Sequence, residues 1–198
     1  RKRAAFALSI SADGGTRYTR KDYILLFGLI LVYGAAALTY LGVTKAPQTV
    51  YYGDAAGETV TAAFGRTVEL AECRVYGNID TGGVLRFTAP DGAETSYEQT
   101  YDDMFRWHSV LLAATADTVT VELCSGHVRI NEIAFFDAAG NRLPATLVNP
   151  TGTQSALLDE QDTVPDVPAC TNGMYLDELY HGRTAYEHLH NLAPYENS

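Results

Sequence analysis

Hydrophobic and polar positions divide the chain into three stretches with different periods. From Tyr23 to Val43 the sequence YILLFGLILVYGAAALTYLGV carries no charge, and a helix needs about 20 such residues to cross a ~30 Å hydrocarbon layer. Between 48 and 150, short alternating or β-branched runs predict an all-β sandwich. From Leu176 to Leu192, apolar residues recur at helical spacing, which predicts an amphipathic helix on or near a membrane surface, with Leu189 on its apolar face and Arg183 on its polar face.

The charges beside the apolar run predict its orientation. Arg17, Arg20 and Lys21 precede it, whereas only Lys45 follows it shortly. By the positive-inside rule, segment 1–22 is cytoplasmic and everything after about residue 45 is extracytoplasmic, which gives a plasma-membrane localisation. A cleaved signal peptide is the alternative interpretation, although its apolar stretch is usually 7–15 residues long with a cleavage site close behind.

The middle stretch is interrupted by residues typical of tight turns. Six candidate strands are Thr59–Phe64, Thr67–Val75, Val84–Thr88, His108–Leu112, Thr118–Leu123 and Val128–Phe136. Their separators include Asp80-Thr81-Gly82-Gly83, Pro90-Asp91-Gly92 and Ala139-Gly140-Asn141. The predicted fold class is therefore mixed membrane and β, with one transmembrane helix, an extracytoplasmic jelly-roll-like antiparallel β-sandwich and a C-terminal amphipathic juxtamembrane helix.

The strand order, and above all VRINEIAFFDAAGNRL from Val128 to Leu143, resembles the galactose-binding-like jelly-roll sandwiches. In that superfamily, loops at one end of the sandwich often bind sugars. The resemblance implies that Trp107 offers a stacking face and that Asp102, Asp103 and Arg106 hydrogen-bond sugar hydroxyls. The alternative is that Trp107 is a core residue and the acidic residues are solvated, because aromatic residues need no ligand to explain them.

Charge and cysteine content narrow the classes of function. The net charge is -10, and most of the acidic residues follow the apolar run. An acidic domain without a basic stripe excludes a nucleic-acid partner. Three cysteines are too few for a disulfide framework and lack zinc-ligand spacing. Cys73 and Cys124 either pair in an oxidising compartment or remain buried thiols, and a pairing would leave Cys170 single.

A polar connector, 151–170, leads to the segment 171–198, which contains NGMYLDELYHGRTAYEHLHNLAPYENS. The string from Tyr175 to Glu187 resembles the phospholipid-carrier-dependent glycosyltransferases related to dolichyl-phosphate-mannose protein mannosyltransferases. In that family, an Asp-Glu pair and a juxtamembrane helix follow the first transmembrane helix. A His-Pro-Pro motif is then expected beyond Ser198, so the chain is interpreted as an N-terminal piece of a longer protein, inactive alone.

The resemblance assigns chemistry to four residues of this string. Asp177 corresponds to the general base that takes the acceptor proton, and Glu178 to an orienting residue or hydrogen-bond acceptor. His181 and Arg183 are candidates to stabilise the departing lipid phosphate, because guanidinium binds phosphate bidentately. The alternative is that the histidines are interfacial residues and that Glu187 is solvated. No cofactor is predicted, and no full metal-ligand set is visible.

The predicted function is that of part of an integral membrane glycosyltransferase. It transfers a sugar such as mannose from a polyprenyl-phosphate carrier to a hydroxyl of a protein or glycan acceptor, in contact with membrane lipid. The rival hypothesis is a membrane-anchored, non-catalytic β-sandwich that binds carbohydrate or protein, and a plain structural tether is a third. The rival gives no reason for the Asp177–Glu187 string.

Overall fold

The computed structural model describes residues 19–38, 45–79, 82–166, 172–174 and 177–193. The chain divides into two compact units, Arg1–Tyr40 and Leu41–Ser198. Most of the predicted basic segment 1–22 lies outside the described residues.

The described part of the first unit, residues 19–38, contains the helix α1 (Arg20–Leu38). Thr19 and Asp22 cap its start, since the Thr19 backbone N–H and hydroxyl both donate to the Asp22 carboxylate, at 2.7 and 2.8 Å. These hydrogen bonds, the backbone one foremost, hold the pKa of Asp22 below its ordinary value. Large apolar side chains along α1, such as Leu25 and Val32, are exposed.

Among the described residues, no helix is both long and apolar enough to cross a membrane. The first three of the 19 residues of α1 are charged, so its uncharged part spans only about 24 Å at 1.5 Å per residue, less than a ~30 Å hydrocarbon core. The remainder of the predicted span, 39–43, lies outside the described residues. The predicted transmembrane helix is therefore wrong, and so is the plasma-membrane localisation derived from it.

The second unit is built on antiparallel β-structure, as the alternating pattern predicts. Its described residues form eight strands: β1 (Tyr51–Gly53), β2 (Thr59–Gly77), β3 (Val84–Thr88), β4 (Glu94–Glu98), β5 (Trp107–Ser125), β6 (Val128–Phe136), β7 (Arg142–Leu143) and β8 (Thr146–Val148). They are hydrogen-bonded in the order β1-β6-β2-β5-β3-β4, with β7 beside β6 and β8 beside β2. This arrangement is compatible with a β-sandwich.

Strands β2 and β5 pair along almost their whole length and join the two halves of the fold. The first part of β2 has β8 on its other side, while the last part has β6 there. The register shifts between Ala63 and Val68, where Gly65 has φ +68°, a conformation that glycine adopts without strain. Such a bulge bends a strand, and the two parts of β2 have different neighbours, β8 and β6.

A first core cluster gathers side chains from both halves of the sheet, among them Val60, Leu85, Val121, Ile133 and Phe135. Phe64 of β2 meets Phe135 of β6 edge to face, with ring centroids 5.2 Å apart. Burial of these side chains supplies the main stabilisation of the sheet.

The segment 151–166, interpreted from the sequence as a polar connector, is a strap on the sheet that contains two short 3₁₀ helices, Gln154–Leu157 and Gln161–Thr163. Ala156 and Leu157 enter the first core cluster. Glu132 of β6 is fully buried and accepts hydrogen bonds from the Glu160 backbone N–H and the Gln161 amide. The strap therefore closes over a buried carboxyl group.

A second core cluster, which includes Tyr76, Met104, Phe105, Trp107 and Phe136, lies on the other side of β2 and β6. Charged groups border it. Arg74 is 7% exposed, its guanidinium carbon lies 3.8 Å from the centre of the Phe136 ring, and it donates to the Pro165 carbonyl at 2.9 Å. Arg74 thereby fixes the end of the strap against the sheet.

The two cysteines within the described residues are free thiols. Cys73 is buried opposite Val110, whereas Cys124 lies near the other end of β5. The structure therefore contains two thiols where the sequence left a disulfide open, and Cys170 lies outside the described residues.

Candidate functional site

The helix α2 (Asp177–His190) carries the sequence string that resembles the glycosyltransferase motif. Leu179, Arg183 and Glu187, spaced four residues apart, are buried, and residues at this spacing share one helix face. Asn191, with φ +52°, ends the helix, and the Leu192 N–H donates to the Glu187 carbonyl at 2.9 Å. The helix packs on the second core cluster through this face.

The buried face of α2 contains an ion pair rather than an apolar stripe. Arg183 Nε donates to Glu187 Oε1 at 2.7 Å, with side-chain exposures of 11% and 8%. Arg183 also contacts Met104 Sδ at 3.9 Å. Removing two charges from water is costly and is offset only when they are paired in good geometry, so the pairing within α2 allows this charged face to be buried beside Leu179 and Met104.

Two glycines bring the chain close to α2 and its neighbours. A Cβ on Gly182 would lie 2.1 Å from Met174 Sδ, and one on Gly173 would lie 2.5 Å from Arg106 Cβ. Gly173 also forms a β-bridge with Arg106, and the Met174 N–H donates to the Phe105 carbonyl at 3.1 Å. Gly173 and Met174, which directly precede the motif-like string, are thus attached by backbone contacts to the residues before β5.

The predicted motif residues separate into buried and exposed groups. Asp177 begins α2, and its side chain lies outside the described part. Glu178 and His181 are exposed, whereas Arg183, expected on the polar face, is buried at 9%. Leu189, expected on the apolar face, is 80% exposed. A helix is present over Asp177–His190, as the spacing predicts, but these two residues lie on the opposite faces, because Arg183 pairs with Glu187 on the buried face beside Leu179. The predicted juxtamembrane placement of this helix is wrong together with the transmembrane helix.

The predicted glycan-binding residues of the sandwich do not form an open platform. Trp107 is 8% exposed and packs edge to face on Tyr76 with centroids 5.4 Å apart. Asp103 is buried, accepts from the Thr100 N–H at 2.9 Å and pairs with His108 at 2.8 Å. Asp102 is exposed and Arg106 partly exposed. The side chains of Trp107 and Asp103 are therefore engaged in contacts within the fold.

A cleft that the sequence did not reveal opens beside α2. Its volume is about 450 Å³, and its polar and aromatic wall consists of Tyr52, Asn78, Arg129, Arg183, Tyr186 and His190. We call it the Tyr52–Tyr186 cleft. Strand β1, the residues just after β2, the start of β6 and α2 each contribute to it. None of the described residues that line it is acidic.

The sandwich side of the cleft is held in place by Arg129. Its Nη1 lies 2.8 Å from Asp54 Oδ1 and donates to the Val128 carbonyl at 2.9 Å. The guanidinium carbon lies 4.8 Å from the centre of the Tyr52 ring, within the range of a cation–π contact. Tyr52 is 46% exposed, so part of its ring faces solvent, while the adjacent Arg129 guanidinium is fixed.

The helix side of the cleft is held by Tyr186. Its ring stacks on His190 with centroids 4.2 Å apart, and it lies 5.8 Å from the Phe105 ring. Burial raises the pKa of the Tyr186 phenol, Tyr52 adds to the rise, and a hydrogen bond with Asn78 opposes it. Asn78 is 2% exposed and donates to Asn131 Oδ1 at 2.8 Å. The two sides of the cleft are therefore linked.

One sequence signal points to this cleft. Arg129 and Asn131 interrupt the otherwise apolar start of β6, and a polar side chain that is buried in a strand needs a partner. The other wall residues are far apart in sequence, so their meeting depends on the fold.

Comparison with known protein families, with curated proteins and with solved structures finds no significant match to this chain. Within the part of the chain that the structure describes, no group of three or more His, Cys, Asp or Glu side chains is placed to hold a metal ion.

Proposed function

We propose that this chain is part of a glycosyltransferase that moves a sugar from a polyprenyl-phosphate carrier to an acceptor hydroxyl. The observation that carries the proposal is that Asp177–Glu187 of the motif-like string lie in one helix, α2, whose buried face contains Leu179, Arg183 and Glu187. Catalytic groups need a fixed position relative to the reacting atoms. A helix whose buried face packs on the second core cluster meets that need.

The proposed reaction is an inverting displacement at the anomeric carbon. The acceptor oxygen bonds to that carbon as the bond between the carbon and the phosphate oxygen breaks. The acceptor proton goes to the Asp177 carboxylate, which acts as general base. The electron pair of the broken bond leaves with the polyprenyl phosphate. Asp177 holds this role by its match to the motif.

The neighbouring residues have distinct proposed roles. Exposed His181 and Glu178 lie on the first turns of α2, where they can reach a substrate that approaches Asp177. Arg183 is already paired with Glu187, so its charge is partly neutralised and its main role is to position α2. Its access to a phosphate is through the Tyr52–Tyr186 cleft, which it lines.

Sugar transfer by the full-length protein tests the proposal. The donor is mannosyl-phosphoryl-polyprenol with labelled mannose, and the acceptors are a mixture of peptides and glycans. Asp177→Asn is expected to lower the transfer rate about 100-fold or more, the usual contribution of a general base. The matched control is Asp117→Asn, an exposed aspartate on β5, which should leave the rate unchanged.

Two outcomes count against the proposal. One is absence of transfer from polyprenyl-phosphate donors by the wild-type protein. The other is an Asp177→Asn variant as active as the control, which places the base elsewhere and leaves the string without a catalytic role.

A further inference from the structure

The Tyr52–Tyr186 cleft has the size of a small-molecule site. Its volume of about 450 Å³ falls within the ~300–1,000 Å³ typical of ligand pockets. It lies apart from Trp107, which is buried in the second core cluster. The cleft is therefore separate from the glycan-binding surface that the sequence predicted.

The chemistry of the wall selects one class of ligand. The rings of Tyr52, Tyr186 and His190 offer flat surfaces to the C–H faces of a pyranose, since aromatic side chains combine apolar area with a polar edge. The guanidinium of Arg129 is a fork of donors that suits carboxylate and phosphate oxygens. Described acidic residues are absent from the lining, although the chain carries a net charge of -10.

The wall is also arranged before any ligand arrives. Arg129 is fixed by Asp54, by the Val128 carbonyl and by the Tyr52 ring, while Asn78 is fixed by Asn131. Groups that are already ordered lose little conformational freedom on binding. The Asp54 carboxylate pairs with Arg129 and so limits the excess positive charge of the cleft. The cleft therefore favours a sugar with one anionic group over a bare polyanion.

We propose that the Tyr52–Tyr186 cleft is a binding site for an anionic pyranose, a sugar that carries a phosphate or a carboxylate. The sugar stacks on Tyr52 and its anionic group pairs with Arg129. The source of this ligand rests on the proposed function: it is either the sugar phosphate of the donor or an acidic glycan that serves as acceptor.

Calorimetric titration of the 198-residue chain tests the inference with four probes, namely mannose 1-phosphate, glucuronate, mannose and inorganic phosphate. At least one anionic sugar is expected to bind more tightly than both mannose and inorganic phosphate. Preference for mannose 1-phosphate indicates the donor, and preference for glucuronate indicates an acidic acceptor. The inference is overturned if neither anionic sugar binds. It is also overturned if inorganic phosphate alone binds as tightly as the anionic sugars do.

Matched variants locate the binding. Arg129→Gln is expected to weaken the anionic sugar about tenfold, as the loss of a charged hydrogen bond implies, and Tyr52→Ala to weaken it similarly. The control Arg86→Gln removes another partly exposed arginine with a carboxylate partner, Glu122 at 2.8 Å, and should bind normally. Tyr52→Phe keeps the ring and should bind nearly as the wild type does.

Tyr52→Ala leaves the pair between Arg129 and Asp54 in place, so it tests the site without removing that contact. An unchanged melting temperature confirms that the variant is folded. If both Tyr52→Ala and Arg129→Gln bind as tightly as Arg86→Gln does, the site is not this cleft.

The two proposals fail separately. Asp177→Asn should abolish transfer and leave binding in the cleft intact. Binding without any transfer by the wild-type protein refutes only the glycosyltransferase proposal, whereas transfer without binding in the cleft refutes only the present inference.

Discussion

The two core clusters stabilise different parts of the same unit by different means. The first lies between the halves of the sheet and consists of apolar side chains, such as Val121 and Ile133, that are almost fully buried. The second lies under α2 and is bordered by buried charges, namely Arg74, Arg183 and Glu187. Apolar burial is strong and non-directional, whereas buried ion pairs depend on geometry. We expect the first cluster to control global stability and the second to control the placement of α2.

The largest effect is expected from the first cluster. Phe135→Ala removes a ring that is 1% exposed and contacts Phe64, so it should lower the free energy of unfolding by about 3–5 kcal/mol. Urea denaturation followed by circular dichroism measures this change. The control Leu111→Ala alters a side chain that is 79% exposed and should shift stability by no more than about 0.5 kcal/mol. Equal effects of the two substitutions would contradict the assignment.

A more local effect is expected from the second cluster. Glu187→Ala removes the carboxylate that pairs with the buried Arg183 guanidinium, which costs about 3 kcal/mol. Amides of α2 should then exchange with deuterium about 100-fold faster, while those of β5 keep their protection. The double variant Arg183→Met/Glu187→Leu removes both charges and should recover most of the protection. His188→Ala, on the exposed side, is the control. Equal loss of protection in β5 speaks against a local role.

The smallest effect concerns the carboxyl group of Glu132 under the strap. Burial raises its pKa to about 8, although the Glu160 and Gln161 hydrogen bonds oppose the rise. Because the folded state binds this proton more tightly than the unfolded state does, the free energy of unfolding falls as pH rises. The expected fall between pH 6 and 8 is about 2 kcal/mol.

Urea titrations at pH 6, 7 and 8 measure this slope. Glu132→Gln cannot titrate and should lose it, even though its amide faces the Glu160 N–H and lowers stability at every pH. Glu98→Gln, an exposed glutamate on β4, should keep the slope of the wild type. A slope that persists in Glu132→Gln assigns the proton to another group.

Sequence patterns predicted the elements better than their contacts. Strands β3 and β6 have the predicted bounds because turn residues such as Gly83, Pro90, Gly126 and Gly140 lie near their two ends. The sequence predicted two strands, Thr59–Phe64 and Thr67–Val75, where the structure has the single strand β2. Gly65 lies at a bulge between them, and only the pairing with β5 shows that the strand continues through it. For α2, the helical period was visible, but burial of Arg183 depends on its pairing with Glu187. The Tyr52–Tyr186 cleft was missed because its walls come from four distant segments.

The strap has a consequence for the order in which the molecule folds. Glu160 accepts a hydrogen bond from the Thr49 N–H, and the two residues are 111 positions apart. At ~5–20 residues per second, a ribosome needs about 5–20 s to make the chain between them. Throughout that interval, Thr49 lacks its Glu160 partner. Contacts this distant in sequence slow folding, so the strap can close over the sheet only after all eight described strands have been made.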